Sequence, residues 1–248
     1  MKAVKLFEEF INEGFYDKGI LKAFFMAGGP GSGKSYVSGE LFGFDENSIS
    51  SLSGSTGLKL INSDKSFEKF AEEAGFELDQ IADIKSDPSR WEELMSIRDK
   101  AKKLTSNQQR NYINGRLGMV IDGTGKDFSK IETSRRLLSD LGYDTYMIFV
   151  NTSLEVALER NKSRKRQLPD ELVTDMWNEV QQNIGKFQNL FGGDKMIIVD
   201  NSVANSNVLP RVEKEVMKRI SQFRILKVNG GYDLMTLRIS LLIDQCNC

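Results

Sequence analysis

The sequence predicts an α/β fold: a parallel sheet of about five strands flanked by helices, with a helical insertion between strands 2 and 3. Three observations predict it. Short apolar runs alternate with amphipathic helical stretches along most of the chain. The first run leads directly into a glycine-rich turn and then a helix. The stretch between the second and third runs is polar, helically patterned and too long for an ordinary connection inside a parallel sheet.

The elements follow in order. Val4, Phe7, Phe10 and Ile11 share one helical face, so residues 1–19 read as a docking helix ahead of the main domain. Leu21 to Ala27 (LKAFFMA) reads as a buried strand, and a helix runs from Lys34 to Phe42. Residues 43–57 are rich in Ser and Gly and read as a loop before a second short strand, Leu58 to Asn62. The insertion spans residues 66–115. Ser89 and Glu92 suggest a capping box behind Pro88, and Trp91, Leu94, Ile97, Ala101 and Leu104 then keep helical spacing. This insertion is expected to stand over the active site.

The sheet resumes at Leu117 to Ile121, ending on Asp122. The helix after it places Phe128, Ile131, Leu138 and Leu141 on one side. Asp144 to Val150 is the fourth strand. Thr152 with Glu155 is expected to cap the helix that ends near Lys162. Pro169 opens a long helix with Val173, Met176, Trp177, Val180, Ile184 and Phe187 on its apolar face. Lys195 to Asp200 is the fifth strand and residues 209–224 a closing helix. The main domain is thus expected over residues 20–224, with a lid at 160–168 and a C-terminal tail at 225–248.

Composition excludes several classes. The chain has 248 residues, 40% hydrophobic and 28% charged, with a net charge of -1. That supports a sizeable core and gives no overall electrostatic case for long duplex DNA. The absence of histidine removes histidine bases, histidine metal sites and Ser-His-Asp chemistry. The two cysteines, Cys246 and Cys248, are too close together to staple distant parts of the fold, and a reducing, cytoplasmic setting is expected. Cys-x-Cys also has the form of one prenylation signal, though no polybasic stretch precedes it. No apolar run reaches the roughly 20 residues that span a bilayer, so no membrane association is expected. Glu8, Glu9 and Glu13 do not suit a signal or transit peptide.

The chemistry begins at Gly28-Gly29-Pro30-Gly31-Ser32-Gly33-Lys34-Ser35, which fits GxxxxGK[ST] between a strand and a helix. The predicted fold is therefore the P-loop NTPase fold. Glycines let backbone N–H groups turn inward around phosphate oxygens, and the helix N-terminus adds partial positive charge. The expected nucleotide-binding set is Gly28, Gly29, Pro30, Gly31, Ser32, Gly33, Lys34, Ser35 and Tyr36. Lys34 is expected on the β- and γ-phosphates and Ser35 on Mg2+, with ATP or GTP as phosphoryl donor. A ligand-free glycine-rich turn is the plain alternative. The spacing does not fit GxGxxG, so a nicotinamide dinucleotide is not implied.

The strand ends supply the acceptor side. Asp64 follows the second strand in Ile61-Asn62-Ser63-Asp64. It can act as general base, or it can cap a helix beginning near Ser66. Asp122-Gly123-Thr124-Gly125 follows the third strand. Asp122 can hold magnesium through water, contact an acceptor hydroxyl, or only shape the turn. Lys126 extends the turn to GTGK, but no Ser or Thr follows, so it is not a second phosphate loop. Arg160-Asn161-Lys162-Ser163-Arg164-Lys165-Arg166 is a basic stretch. Its arginines can face phosphate in a closing lid, or simply solvate a helix end.

Taken in order, AGGPGSGKS, INSD, VIDGTG, LERNKSRKR and LPDELV resemble the phosphate-loop kinases of the zeta-toxin type and the neighbouring 5′-hydroxyl polynucleotide kinases. The resemblance covers roughly residues 20–202. It implies a general base at Asp64, donor-phosphate clamps at Arg160 and Arg164, and acceptor contacts at Asp122 and Thr124. The sequence also has the look of a tailed-phage protein. The polynucleotide kinases usually carry an arginine shortly after the base, and Lys65 to Ala71 holds none. The expected activity is a magnesium-dependent kinase acting on a hydroxyl of a nucleotide, nucleotide sugar or polynucleotide end. Two rivals are a P-loop NTPase that couples hydrolysis to conformational change and a non-catalytic nucleotide-binding protein. Intact Lys34, Ser35 and Asp64 speak against the second. The lid, and the lack of a multi-acid strand motif, speak against the first.

Overall fold

The computed structural model describes residues 20–44, 56–78, 81–164, 167–202 and 208–221. The expected N-terminal docking helix, the tail after 225 and both cysteines lie outside them. In chain order the elements are β1 (Lys22–Ala27), α1 (Lys34–Phe42), β2 (Lys59–Ile61), α2 (Ser63–Glu73), α3 (Ile81–Ser86) and α4 (Pro88–Asn114). Then come β3 (Met119–Asp122), α5 (Phe128–Asp140), β4 (Asp144–Asn151), α6 (Leu154–Lys162), α7 (Asp170–Phe191), β5 (Met196–Asp200) and α8 (Val208–Ser221). The sheet order is β2-β3-β1-β4-β5, every pairing parallel.

The alternation of side chains along β1 explains the layering. Phe24 and Met26 face one way, into a core shared with Val37, Leu41 and Phe42 of α1 and Val212, Val216 and Ile220 of α8. Ala23, Phe25 and Ala27 face the other way, onto Leu138 of α5 and Val180, Phe187 and Phe191 of α7. With both faces covered, β1 and most of β4 are buried outright, as a parallel sheet requires. Among the described residues no helix is long and apolar enough to cross a membrane.

The insertion begins earlier than its polarity suggests. Helix α2 starts at Ser63, immediately after β2, rather than near residue 66. It packs with α3 and α4 around a separate small core of Phe67, Ala71, Phe76, Ile84, Leu94 and Ala101. The buried stripe of α4 is Leu94, Ala101 and Thr105, while Leu104 is 39% exposed, so the inward face is rotated from the one apolar spacing alone suggests. Two expected caps also move by one or two residues. Asp87, not Ser89, caps α4, accepting from the Ser89 and Arg90 N–H groups with Pro88 just behind it. Ser153, not Thr152, caps α6 through the Val156 N–H. In each case the carboxylate or hydroxyl that reaches the free N–H groups of the first turn wins.

Candidate active site

Parallel strands deliver their C-terminal ends to one rim of the sheet. There β1 runs into residues 28–33, which turn into α1. Gly31 (φ 73) and Gly33 (φ 81) occupy the left-handed region. A side chain at Gly31 would meet the Ala157 carbonyl of α6, and one at Gly33 would strike the Asn201 amide. Only glycine satisfies both demands.

Helix α1 has no side-chain cap and no acidic residue in its first turn. Its first N–H groups therefore face the turn uncompensated, the arrangement that attracts an anion. The Ser32 hydroxyl is buried beside them without a hydrogen-bond partner. Lys34 Nζ donates to the Gly28 carbonyl at 2.8 Å. Burial pushes the Lys34 amine below its ordinary pKa, and Arg164 adds to this, while Asp122 and Asp64 pull it back. Those opposing charges place Lys34, Asp64, Asp122 and Arg164 in one electrostatic neighbourhood. Ser35 and Tyr36 are exposed on the first turn, and Gly29 lies against Trp177 of α7.

Asp122 pairs in register with Met26, so β3 sets its carboxylate beside the root of the loop. One oxygen accepts from Asn62 Nδ2 at 2.8 Å, and the other, Oδ1, is buried with no partner. Burial raises its pKa, and Asp64 raises it further; Lys34, the Gly123 N–H and Lys65 oppose the rise. Ser35, Ser38, Asn62, Lys65 and Asp122 line one small pocket together with Phe44 and Leu60. An orphan carboxylate oxygen sharing a pocket with a serine hydroxyl fits a magnesium site that completes its shell with water and phosphate. Among the described residues there is no cluster of three or more acidic, cysteine or histidine ligands, so a dedicated all-protein cage is not what this site offers.

Asp64 sits in the first turn of α2 and is not its cap. Asn62 is the cap, accepting the Asp64 N–H at 2.7 Å. Asp64 therefore keeps a solvent-facing carboxylate, 60% exposed, and its ion-pair partner is Arg98 of α4 at 3.5 Å. No arginine near Asp64 in sequence was needed to bring one beside it. Thr124 is exposed in the next turn, where its carbonyl accepts the Gly28 N–H at 3.1 Å.

The two arginines expected in the lid differ. Arg160 reaches inward, donating to the carbonyls of Gly31 at 3.2 Å and Asn201 at 2.9 Å. Arg164 is exposed in the turn after α6. Asn161, almost fully buried, grips Leu168 by both its N–H and its carbonyl, so the segment between them is tied at its base. Residues 165 and 166 lie outside the described residues.

Three supports had no motif to announce them. Asn201, just beyond β5, donates to the Ser32 carbonyl at 2.8 Å. Asn183 of α7 donates to the carbonyls of Gly125 at 3.0 Å and Lys126 at 2.8 Å. Trp177 Nε1 donates to the Thr152 carbonyl at 2.9 Å. Asparagines at helix and strand positions carry no spacing signature, which is why only a fold reveals them.

A central parallel strand, a glycine-built turn and an uncapped helix after it define a P-loop protein with a kinase-like fold. The chain belongs to the AAA-domain family, whose family model matches residues 24–186. No curated protein matches it significantly. Among solved structures it is similar to a presumed kinase from Chloroflexus aurantiacus J-10-fl, at 13% identity, TM-score 0.53, covering 80% of this chain and 97% of that one. It is also similar to AvrRxo1-ORF1:AvrRxo1-ORF2 with ATP, at 13% identity, TM-score 0.51, covering 80% of this chain and 63% of that one. A third likeness is to the PezAT toxin–antitoxin structure of Streptococcus pneumoniae, at 13% identity and TM-score 0.49, covering 80% of this chain and 86% of that one. At these identities the first two likenesses show the fold alone. Nothing in these matches supports a tailed-phage origin.

Proposed function

We propose that this protein is a kinase that moves the γ-phosphate of ATP or GTP to a hydroxyl of a nucleotide, a nucleotide sugar or a polynucleotide 5′ end. The observation that carries the reading is Asp64: a solvent-facing carboxylate, not consumed as a cap, in the electrostatic neighbourhood of both Lys34 and Asp122. A kinase needs a group to take the proton of its acceptor, and Asp64 can serve; a hydrolytic switch would aim the same carboxylate at water, so the fate of the γ-phosphate separates the two.

The chain's residues divide the work. The backbone N–H groups of Gly31, Gly33, Lys34, Ser35 and Tyr36 cradle the donor phosphates, and Lys34 leaves the Gly28 carbonyl to meet the β,γ-bridge. Asp64 accepts the acceptor proton as the hydroxyl oxygen bonds to the γ-phosphorus and the bond to the bridging oxygen breaks, leaving the diphosphate. Arg164 stabilises charge on the transferred group, and Arg160, which ties the Gly31 carbonyl of the loop to the Asn201 carbonyl beyond β5, joins it on the donor phosphates. Asp122 and Thr124 border the acceptor crevice. Magnesium, when bound, neutralises phosphate charge, and Ser35 with Asp122 are the residues that would hold it.

The test is transfer of labelled γ-phosphate to a screen of UDP-sugars, nucleosides, nucleotides and 5′-hydroxyl oligonucleotides. Labelling of one class, lost in Lys34→Ala, supports the reading. Hydrolysis of the triphosphate with no labelled acceptor would replace it with a switch.

A further inference from the structure

Helical hydroxyls elsewhere in this protein have a habit that Ser38 lacks. Thr105, Ser106 and Thr174 each donate to the carbonyl four residues earlier, at 3.0, 2.9 and 2.8 Å. That local bond satisfies a hydroxyl wherever the helix leaves it nothing better. Ser38 of α1 does not make it. Its Oγ is buried without a hydrogen-bond partner, in a residue only 7% exposed. A buried hydroxyl left unpaired costs free energy, so the position calls for a partner that binding supplies.

The surroundings of Ser38 identify that partner. Ser38 lies three residues beyond Ser35, on the same side of α1. Both line the pocket that Asp122 enters, and there the Asp122 Oδ1 is also buried and unpartnered. Two orphan oxygens therefore belong to one pocket. Asn62 does not relieve them, because its side chain is engaged with the other Asp122 oxygen and the Asp64 N–H. The cavity measures ≈ 20 Å³. One ordered water needs about 10–15 Å³, so there is room for one and not for a second. A water bound to a cation turns its oxygen to the metal and both protons away from it. Magnesium characteristically keeps several such waters. A carboxylate oxygen and a hydroxyl oxygen can each accept one of the two protons.

We propose that Ser38 is a positioning residue of the metal site: its hydroxyl and the free Asp122 oxygen together hold one of the waters on the magnesium that Ser35 binds. The inference rests on the magnesium reading of the pocket and deepens it. Metal affinity is then set by two turns of α1 acting with the end of β3, and not by Ser35 and Asp122 alone.

The experiment uses the full chain, a non-hydrolysable ATP analogue and magnesium chloride. Three quantities are measured on Ser38→Ala: the metal-free melting temperature, nucleotide affinity in EDTA, and magnesium affinity of the nucleotide complex by calorimetry. Deleting an orphan hydroxyl should not lower the metal-free melting temperature. Nucleotide affinity without metal should match wild type. Magnesium affinity should fall about 3- to 10-fold, the worth of one neutral hydrogen bond. Unchanged magnesium affinity overturns the inference. So does a fall matched by an equal loss of nucleotide affinity in EDTA, which would make Ser38 a packing support of α1. Ser35→Ala and Asp122→Asn separate this inference from the reading beneath it. If they weaken magnesium and Ser38→Ala does not, the metal site stands and only this inference falls. If none of the three weakens it, the metal site falls as well.

Discussion

Asn62 donates its side-chain amide to the Asp122 carboxylate at 2.8 Å, and the same side chain's oxygen receives the Asp64 N–H at 2.7 Å. One asparagine thus ties the Asp122 carboxylate to the backbone of Asp64. Asn62→Ala should cost about 1–2 kcal/mol through the lost cap alone. It should also lower transfer, because Asp122 loses its only side-chain donor among the described residues. Thermal melts and steady-state kinetics on the same preparation check this, and Asn62→Ser should recover the cap but not the rate.

The lid arginines are expected to part company. Arg160→Ala removes hydrogen bonds to the carbonyls of Gly31 in the loop and Asn201 beyond β5, and should destabilise the fold by about 1.5–3 kcal/mol while weakening nucleotide binding. Arg164→Ala removes an exposed side chain and should leave the melting temperature nearly unchanged while slowing transfer. Denaturation curves set beside nucleotide titrations and rates distinguish them; equal stability loss in both variants would refute the distinction.

Asp122 should reveal the metal. The buried, unpartnered oxygen costs free energy in the metal-free protein, so Asp122→Asn should not lower the metal-free melting temperature. The same change should weaken the apparent magnesium affinity about 10- to 100-fold. Melting curves over a magnesium titration with non-hydrolysable nucleotide measure both effects.

Away from the site, Asp144 ties Lys22 at 2.9 Å and Lys195 at 3.3 Å. Burial pushes its carboxyl up, but the hydrogen bond and charge of Lys22, helped by Lys195, hold the net value below the ordinary carboxylate range. A depressed folded pKa means stability that is present above the unfolded value near 3.9 and lost as pH falls through the folded one. Asp144→Asn leaves Lys22, 3% exposed, without its carboxylate, so at neutral pH it should destabilise by about 3–5 kcal/mol. The gap between variant and wild type should narrow on acidification, read from melting temperatures between neutral pH and pH 3. A gap independent of pH would show that Asp144 acts through packing.

The sheet was legible because its signal is local. LKAFFMA, DTYMIFV and their neighbours are apolar runs broken by turn residues, and the observed strands differ only at their ends. The phosphate loop was legible because Gly28 and Gly33 stand on the fixed positions of GxxxxGK[ST], where the backbone leaves no room for a side chain. Caps were less so: Asp87 and Ser153 each had a plausible neighbour, and cap geometry depends on φ and ψ that spacing does not specify. Arg98 was invisible as a site residue, because it lies 34 positions from Asp64 and joins it only once Phe67, Leu94 and Ala101 have packed. Asn62, Asn183 and Asn201 escaped for the same reason: their partners are backbone carbonyls or carboxylates brought near by the fold.

The most direct measurement is single-turnover phosphoryl transfer by Asp64→Asn, with nucleotide titration and a thermal melt on the same sample. Asn keeps the shape of Asp but cannot take a proton, and the cap belongs to Asn62, so the fold loses a charge at a helix N-terminus, about 0.3–1 kcal/mol, and an exposed ion pair to Arg98 that contributes little. Transfer should fall roughly 10²- to 10⁴-fold, with nucleotide affinity and melting temperature close to wild type. Unchanged transfer would contradict the account, since Asp64 would then have no part in the chemistry and the acceptor side would have to be rebuilt around Asp122.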